Sequence, residues 1–108
     1  MNYQEMNLNI RFDAPEEIWE KVPLIYEQLD GWLGFSTGTA GSQAGIPYWF
    51  AFCENEKHVS ASAEPSGLQF SALMEDSEWL VWVIRIKEIA SRMLGYKVGE
   101  IELGEVDY

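Results

Sequence analysis

The chain has a single cysteine, a single histidine, and seven lysines and arginines against 18 aspartates and glutamates. Each scarcity excludes something. A lone Cys53 closes no intrachain disulfide, which agrees with a reducing compartment. Cys53 and His58 together fall short of the three or four ligands a bound metal needs. Cys53 ends an apolar stretch and reads as a buried structural thiol rather than a nucleophile. His58 follows Lys57 near a strand start and reads as a surface or hairpin residue rather than a general base. The segment "GTAGSQAG" has spaced glycines but no Gly-Lys-Ser/Thr, so it reads as a flexible connection and not as a phosphate loop. No catalytic constellation is left, and we expect no enzymatic activity, no cofactor and no metal.

No run of about 18 apolar residues is present to span a bilayer. The opening "MNYQEMNLNI" lacks the basic, then apolar, then small-residue order of a signal peptide. A cytoplasmic location is expected. The net charge is −11, and such a field repels phosphate backbones and anionic membranes. It suits a basic protein partner, because complementary charge speeds association.

What the sequence does have is 47% hydrophobic and 14% aromatic residues in 108 positions, enough for one domain, 1–108, with a real core. "NLNIRF" alternates as a half-buried strand. "DAPE" follows with the signature of a helix start, Asp13 as the cap and Pro15 in the first turn. That helix should run to about Asp30, burying Ile18, Trp19, Val22, Ile25, Tyr26 and Leu29, with a kink at Pro23 and Gly31 as its stop. "WLGFSTGTA" and "IPYWFAFCEN" alternate as strands, and "HVSASAE" and "LQFSALM" form a hairpin about "EPSG". "EDSE" opens a second helix that Gly95 closes. "YKVGEIELGE" reads as a last strand, with Glu100 and Glu102 on one face and Ile101 and Leu103 on the other. The order β-α-β-β-β-β-α-β predicts an α+β fold, a mainly antiparallel sheet of about five to six strands with two helices packed on one face.

The second helix carries six large apolar residues in a row, Trp79 to Ile84, more than one buried stripe requires. At 100° per residue, Trp79, Trp82, Val83, Ile86, Ile89, Ala90, Met93 and Leu94 form one arc, the core face. Leu80 and Ile84 fall outside it beside Lys87 and Ser91, and Val81 lies further round beside Arg85, Glu88 and Arg92. On the first helix Leu24 is likewise left over. A contiguous apolar patch on a soluble domain marks a partner site, and each such side chain contributes about 1.5–3 kcal/mol on full burial. Leu24, Leu80, Val81 and Ile84 are therefore candidate partner-binding residues, joined by Glu100 and Glu102 as contacts for a basic partner.

The segments "IRFDAPEEIWEKVPLIYEQLDGW", "EPSGLQFS" and "LGYKVGEIELGE" together resemble small acidic bacterial immunity proteins, the kind that accompany secreted or contact-delivered toxins. The likeness is one of architecture and acidity, and it brings no functional position with it. It implies a non-enzymatic cytoplasmic protein that binds a basic toxin or nuclease domain and blocks it. The sequence departs from that pattern at Leu24, Leu80, Val81 and Ile84, where an exposed helix face would hold Glu or Lys. A second expectation follows: a natural or engineered scaffold that uses the apolar helix face for protein binding or for assembly into a homo-oligomer.

Overall fold

The computed structural model describes residues 1–37 and 44–106. The connection "GTAGSQAG" falls largely outside the described residues. The elements run β1 (Asn2–Leu8), α1 (Glu16–Tyr26), β2 (Trp32–Thr37), β3 (Ala44–Trp49), β4 (His58–Glu64), β5 (Gly67–Met74) and α2 (Asp76–Leu94). The five strands form one antiparallel sheet in the order β1-β5-β4-β3-β2. The fold is α+β, with five strands.

Register puts the inner face together. Met6 lies opposite Phe70 and Phe70 opposite Ala61; Leu8 faces Leu68; Ala72 faces Val59, which faces Trp49. Opposed residues of an antiparallel pair share a face, so this row makes one apolar surface. Val22, Ile25, Tyr26 and Leu29 from α1 and its following turn join it. So do Trp82, Val83, Ile86, Ile89, Ala90 and Leu94 from α2, all in one buried cluster. Both helices therefore cover the same side of the sheet. Ile18, Trp19, Trp79 and Met93 pack against the cluster half-buried. At its centre Trp49 is fully buried, 4.9 Å from the Tyr26 ring and 5.2 Å from Trp82, both edge-on. Its indole N–H donates to the Tyr26 carbonyl at 3.1 Å, which leaves no polar atom of the side chain unmet.

Several boundaries depart from the sequence reading. Asp13 does not cap α1. The position is taken by Pro15, without a side-chain cap bond, and Asp13 lies beside Arg11 at 3.6 Å. The helix stops at Tyr26, one turn past the internal Pro23, and 27–30 form a turn. β1 begins at Asn2 rather than Asn7, because its polar residues find partners. Asn2 and Gln4 both donate to the Asp76 carboxylate at the start of α2, 3.0 and 2.7 Å away. Those two hydrogen bonds hold Asp76 below the usual carboxylate range.

β3 ends at Trp49, not at Asn55, because Phe50 takes a left-handed backbone, φ 71°. That conformation is unfavourable for an L-residue other than glycine by about 1–2 kcal/mol. It turns the chain so that Phe50 N–H donates to the Gly31 carbonyl at 2.7 Å and its ring lies against Gly31. A Cβ at Gly31, itself at φ +85°, would stand 2.5 Å from that ring. Gly31→Ala should therefore destabilise the protein by more than about 1 kcal/mol, through backbone strain and displacement of Phe50. Urea unfolding would check this; a Gly31→Ala midpoint equal to the parent's would contradict it.

"YKVGEIELGE" is not a sixth strand. It makes a single bridge, Leu8 with Glu100, and then turns through 101–104. The cause is competition for its backbone groups. Buried Asn9 donates to the Lys97 carbonyl and accepts from Gly99 N–H, both at 3.0 Å. The Glu105 carboxylate takes Glu100 N–H at 3.0 Å. Side chains thus occupy positions that a ladder would need.

Candidate protein-binding surface

α2 forms because "EWLVWVIRIKEIASRML" repeats its apolar positions at helical spacing, and Gly95 ends it in the left-handed conformation, φ 80°. A helix that buries one arc leaves the opposite one to solvent. On that side Leu80 is 61% exposed, Val81 64% and Ile84 50%. One helical turn presents all three. Leu24, also about half exposed, stands on α1 instead. Gln28, in the turn after α1, donates to the Leu24 carbonyl and reaches Met93 Sδ near the far end of α2, and Met93 is about 13 Å along the axis from Ile84 at 1.5 Å per residue. On α2 itself the apolar strip is Leu80, Val81 and Ile84.

The acidic pair predicted on a last strand is split. Glu100 is turned inward onto Lys87, whose ammonium donates to it at 2.9 Å, with the two side chains 19% and 15% exposed. Glu105 completes the arrangement at 2.8 Å from Lys87 Nζ. Glu102 stands apart at the mouth of a small cleft formed by β1 and β5, near Glu5 and Ser71. Glu100 is thus already neutralised, and only Glu102 faces solvent as expected.

Lys87 ties the C-terminal segment to α2, helped by Ser91 Oγ, which accepts from Val98 N–H at 2.8 Å. Burial alone would lower the Lys87 ammonium, but its hydrogen bonds to Glu105 and Glu100 leave it above its ordinary value. The Glu105 carboxyl is held below its ordinary value by Lys87 and by the Glu100 backbone N–H. A depressed carboxyl contributes stability that is complete above the unfolded value and is lost as pH falls through the folded one. Acid should therefore loosen residues 100–106 before the core. Hydrogen exchange at Ile101 N–H, which donates to the Asn7 carbonyl, should quicken relative to core amides below about pH 4. Lys87→Met should produce the same relative loosening at neutral pH. Unchanged exchange in Lys87→Met would refute the tie.

Two other sequence expectations are corrected. His58 is buried, not superficial. Its ring lies 6.2 Å from Tyr48, and Nδ1 donates to the Glu56 carbonyl at 2.9 Å. Cys53 is half-buried in the loop after β3, neither in a strand nor fully enclosed. Among the described residues no group of three or more His, Cys, Asp or Glu is placed to hold a metal ion, and no helix is long and apolar enough to cross a membrane.

Beside the apolar strip, on the Val81 flank of α2, lies an open cleft of about 420 Å³. Its apolar lining is Leu29, Phe50, Met74, Val81 and Trp82; Leu29, Met74 and Trp82 are buried at its base, and Val81 and Phe50 present the open apolar surface. The indole N–H of Trp82 donates to the Asp30 carbonyl at 3.3 Å. On the rim Lys57 pairs with Glu78 and sits over the Phe50 ring, 4.5 Å from its centre. This cleft escaped the sequence because its walls come from residues 29–30, 50–57 and 74–85, and no motif spacing links them. The left-handed Phe50 that forms one wall has no signature in the local sequence. No family model, no curated protein and no solved structure matches this chain.

Proposed function

We propose that the protein is a non-enzymatic, cytoplasmic protein-binding module of the immunity type, which docks the outer side of α2 on a basic toxin or nuclease domain and blocks it. The observation that carries the reading is the exposed strip of Leu80, Val81 and Ile84 on a helix whose core face is already satisfied. Large aliphatic side chains left together in water are stabilised by a partner that covers them. The charge of −11 selects which partner. A second copy of the same chain would bring like charge to like charge, whereas a basic domain is drawn in at long range.

The test is a molar mass by light scattering, followed by capture on a panel of immobilised basic nuclease domains at rising salt. A monomer, captured with an on-rate that falls as salt rises, is the expected result. A stable oligomer with no capture would instead favour self-assembly through α2. Salt-independent association would remove the acidic surface from the explanation.

A further inference from the structure

We propose that the cleft on the Val81 flank of α2 is a binding site for a small zwitterion with an apolar side chain, of the free α-amino acid class. Its volume, about 420 Å³, lies within the roughly 300–1,000 Å³ usual for small-ligand pockets. Val81 presents an open apolar side chain to it. Trp82 and Met74 are buried beneath, and the one polar atom of the indole is spent on the Asp30 carbonyl. The Phe50 ring stands as a wall, held by Gly31 on one side and covered by Lys57 on the other.

The charges decide the ligand. Four residues with charged side chains border the cleft: Asp30, Lys57, Glu78 and Arg85. Lys57 and Glu78 neutralise each other. Asp30 and Arg85 are exposed, and among the described residues neither side chain has an ion-pair partner. One unpaired anion and one unpaired cation therefore border the same apolar floor. A simple anion would meet Arg85 but be opposed by Asp30 and by the field of the whole acidic chain. A simple cation would meet Asp30 and be opposed by Arg85. A molecule with an ammonium and a carboxylate on one carbon satisfies both, is neutral overall, and has a side chain to lay against Val81 and Phe50, above Trp82.

The test is a titration followed by 1H–15N spectra, read at the Trp82 indole N–H signal, which is assigned by its loss in Trp82→Phe. The probes are L-phenylalanine and L-leucine, with 3-phenylpropionate and phenethylamine as analogues that keep one charge each. One of the two amino acids should shift the signal saturably and bind about tenfold more tightly than either analogue, the amount expected of one charge-assisted hydrogen bond. Arg85→Gln should weaken the amino acid about tenfold without weakening phenethylamine. Asp30→Asn should weaken it similarly without weakening 3-phenylpropionate. Both changes are at exposed side chains outside the core, so the fold is kept. The proposal is overturned if no probe moves the signal at about 10 mM, if an analogue with one charge binds as tightly as the amino acids, or if both variants bind as the parent does.

Discussion

Replacing Trp49 by alanine should lower stability by about 3–5 kcal/mol, the range for an aromatic removed from a core. Its ring bridges four other elements. Its ring contacts Tyr26 of α1, Trp32 of β2, Phe70 of β5 and Trp82 of α2. Alanine would leave a cavity among rigid neighbours and strip the Tyr26 carbonyl of the indole donor that meets it. A domain of this size has about 5–15 kcal/mol in total, so the variant should remain foldable but sit much closer to its unfolding midpoint at ambient conditions. Trp49→Phe, which keeps a ring and loses only the donor and part of the volume, should fall between alanine and the parent. Urea unfolding followed by far-ultraviolet circular dichroism would measure both, since a change of midpoint at constant slope reports stability alone. A Trp49→Ala cost below about 1 kcal/mol would mean that the aromatic cluster can collapse around the gap.

The second large effect is on binding. The triple variant Leu80→Glu, Val81→Lys, Ile84→Glu should lose affinity for its partner at least about 100-fold, because a central apolar contact is worth some 2 kcal/mol or more and here it is replaced by charge. Its fold should survive. These side chains point to solvent, where polar residues suit a helix, and none belongs to the buried cluster. Tyr3→Glu, at an exposed position on the face of the sheet opposite the helices, should leave both binding and stability near the parent's and so separates a specific surface from general stickiness. The combination that would sink the proposal is a triple variant that binds as the parent does, or one that unfolds although the parent is a monomer. Either outcome would mean that the strip is not an interface.

These two predictions lean on the sequence to different degrees. The strip on α2 was legible in advance, since a fixed rotation of 100° per residue assigns every position of a helix to a side as soon as the buried arc is known. The inner faces of β4 and β5 were legible for the matching reason at a period of two. The hairpin needed only Pro65 and Ser66 between Glu64 and Gly67, which pair across it. Leu24 was legible as exposed, but its placement relative to the α2 strip was not, because the axial offset of one helix on another is not a property of either helix.

Local pattern, then, determined the two helices, the β4–β5 hairpin and which sides of them are apolar. Tertiary structure decided the rest, and in each case through atoms distant in sequence. "YKVGEIELGE" alternates as a strand should, yet Asn9, some 90 residues earlier, takes the backbone groups that a ladder would use. Glu100 has the chemistry of a surface contact, yet Lys87 of α2 claims it. Phe50 continues an apolar strand in the sequence, yet the carbonyl of Gly31 draws its N–H into a left-handed turn and opens the cleft beside Trp82. Periodicity is a property of a segment by itself, whereas a hydrogen bond or an ion pair needs two groups that meet only after the chain has folded.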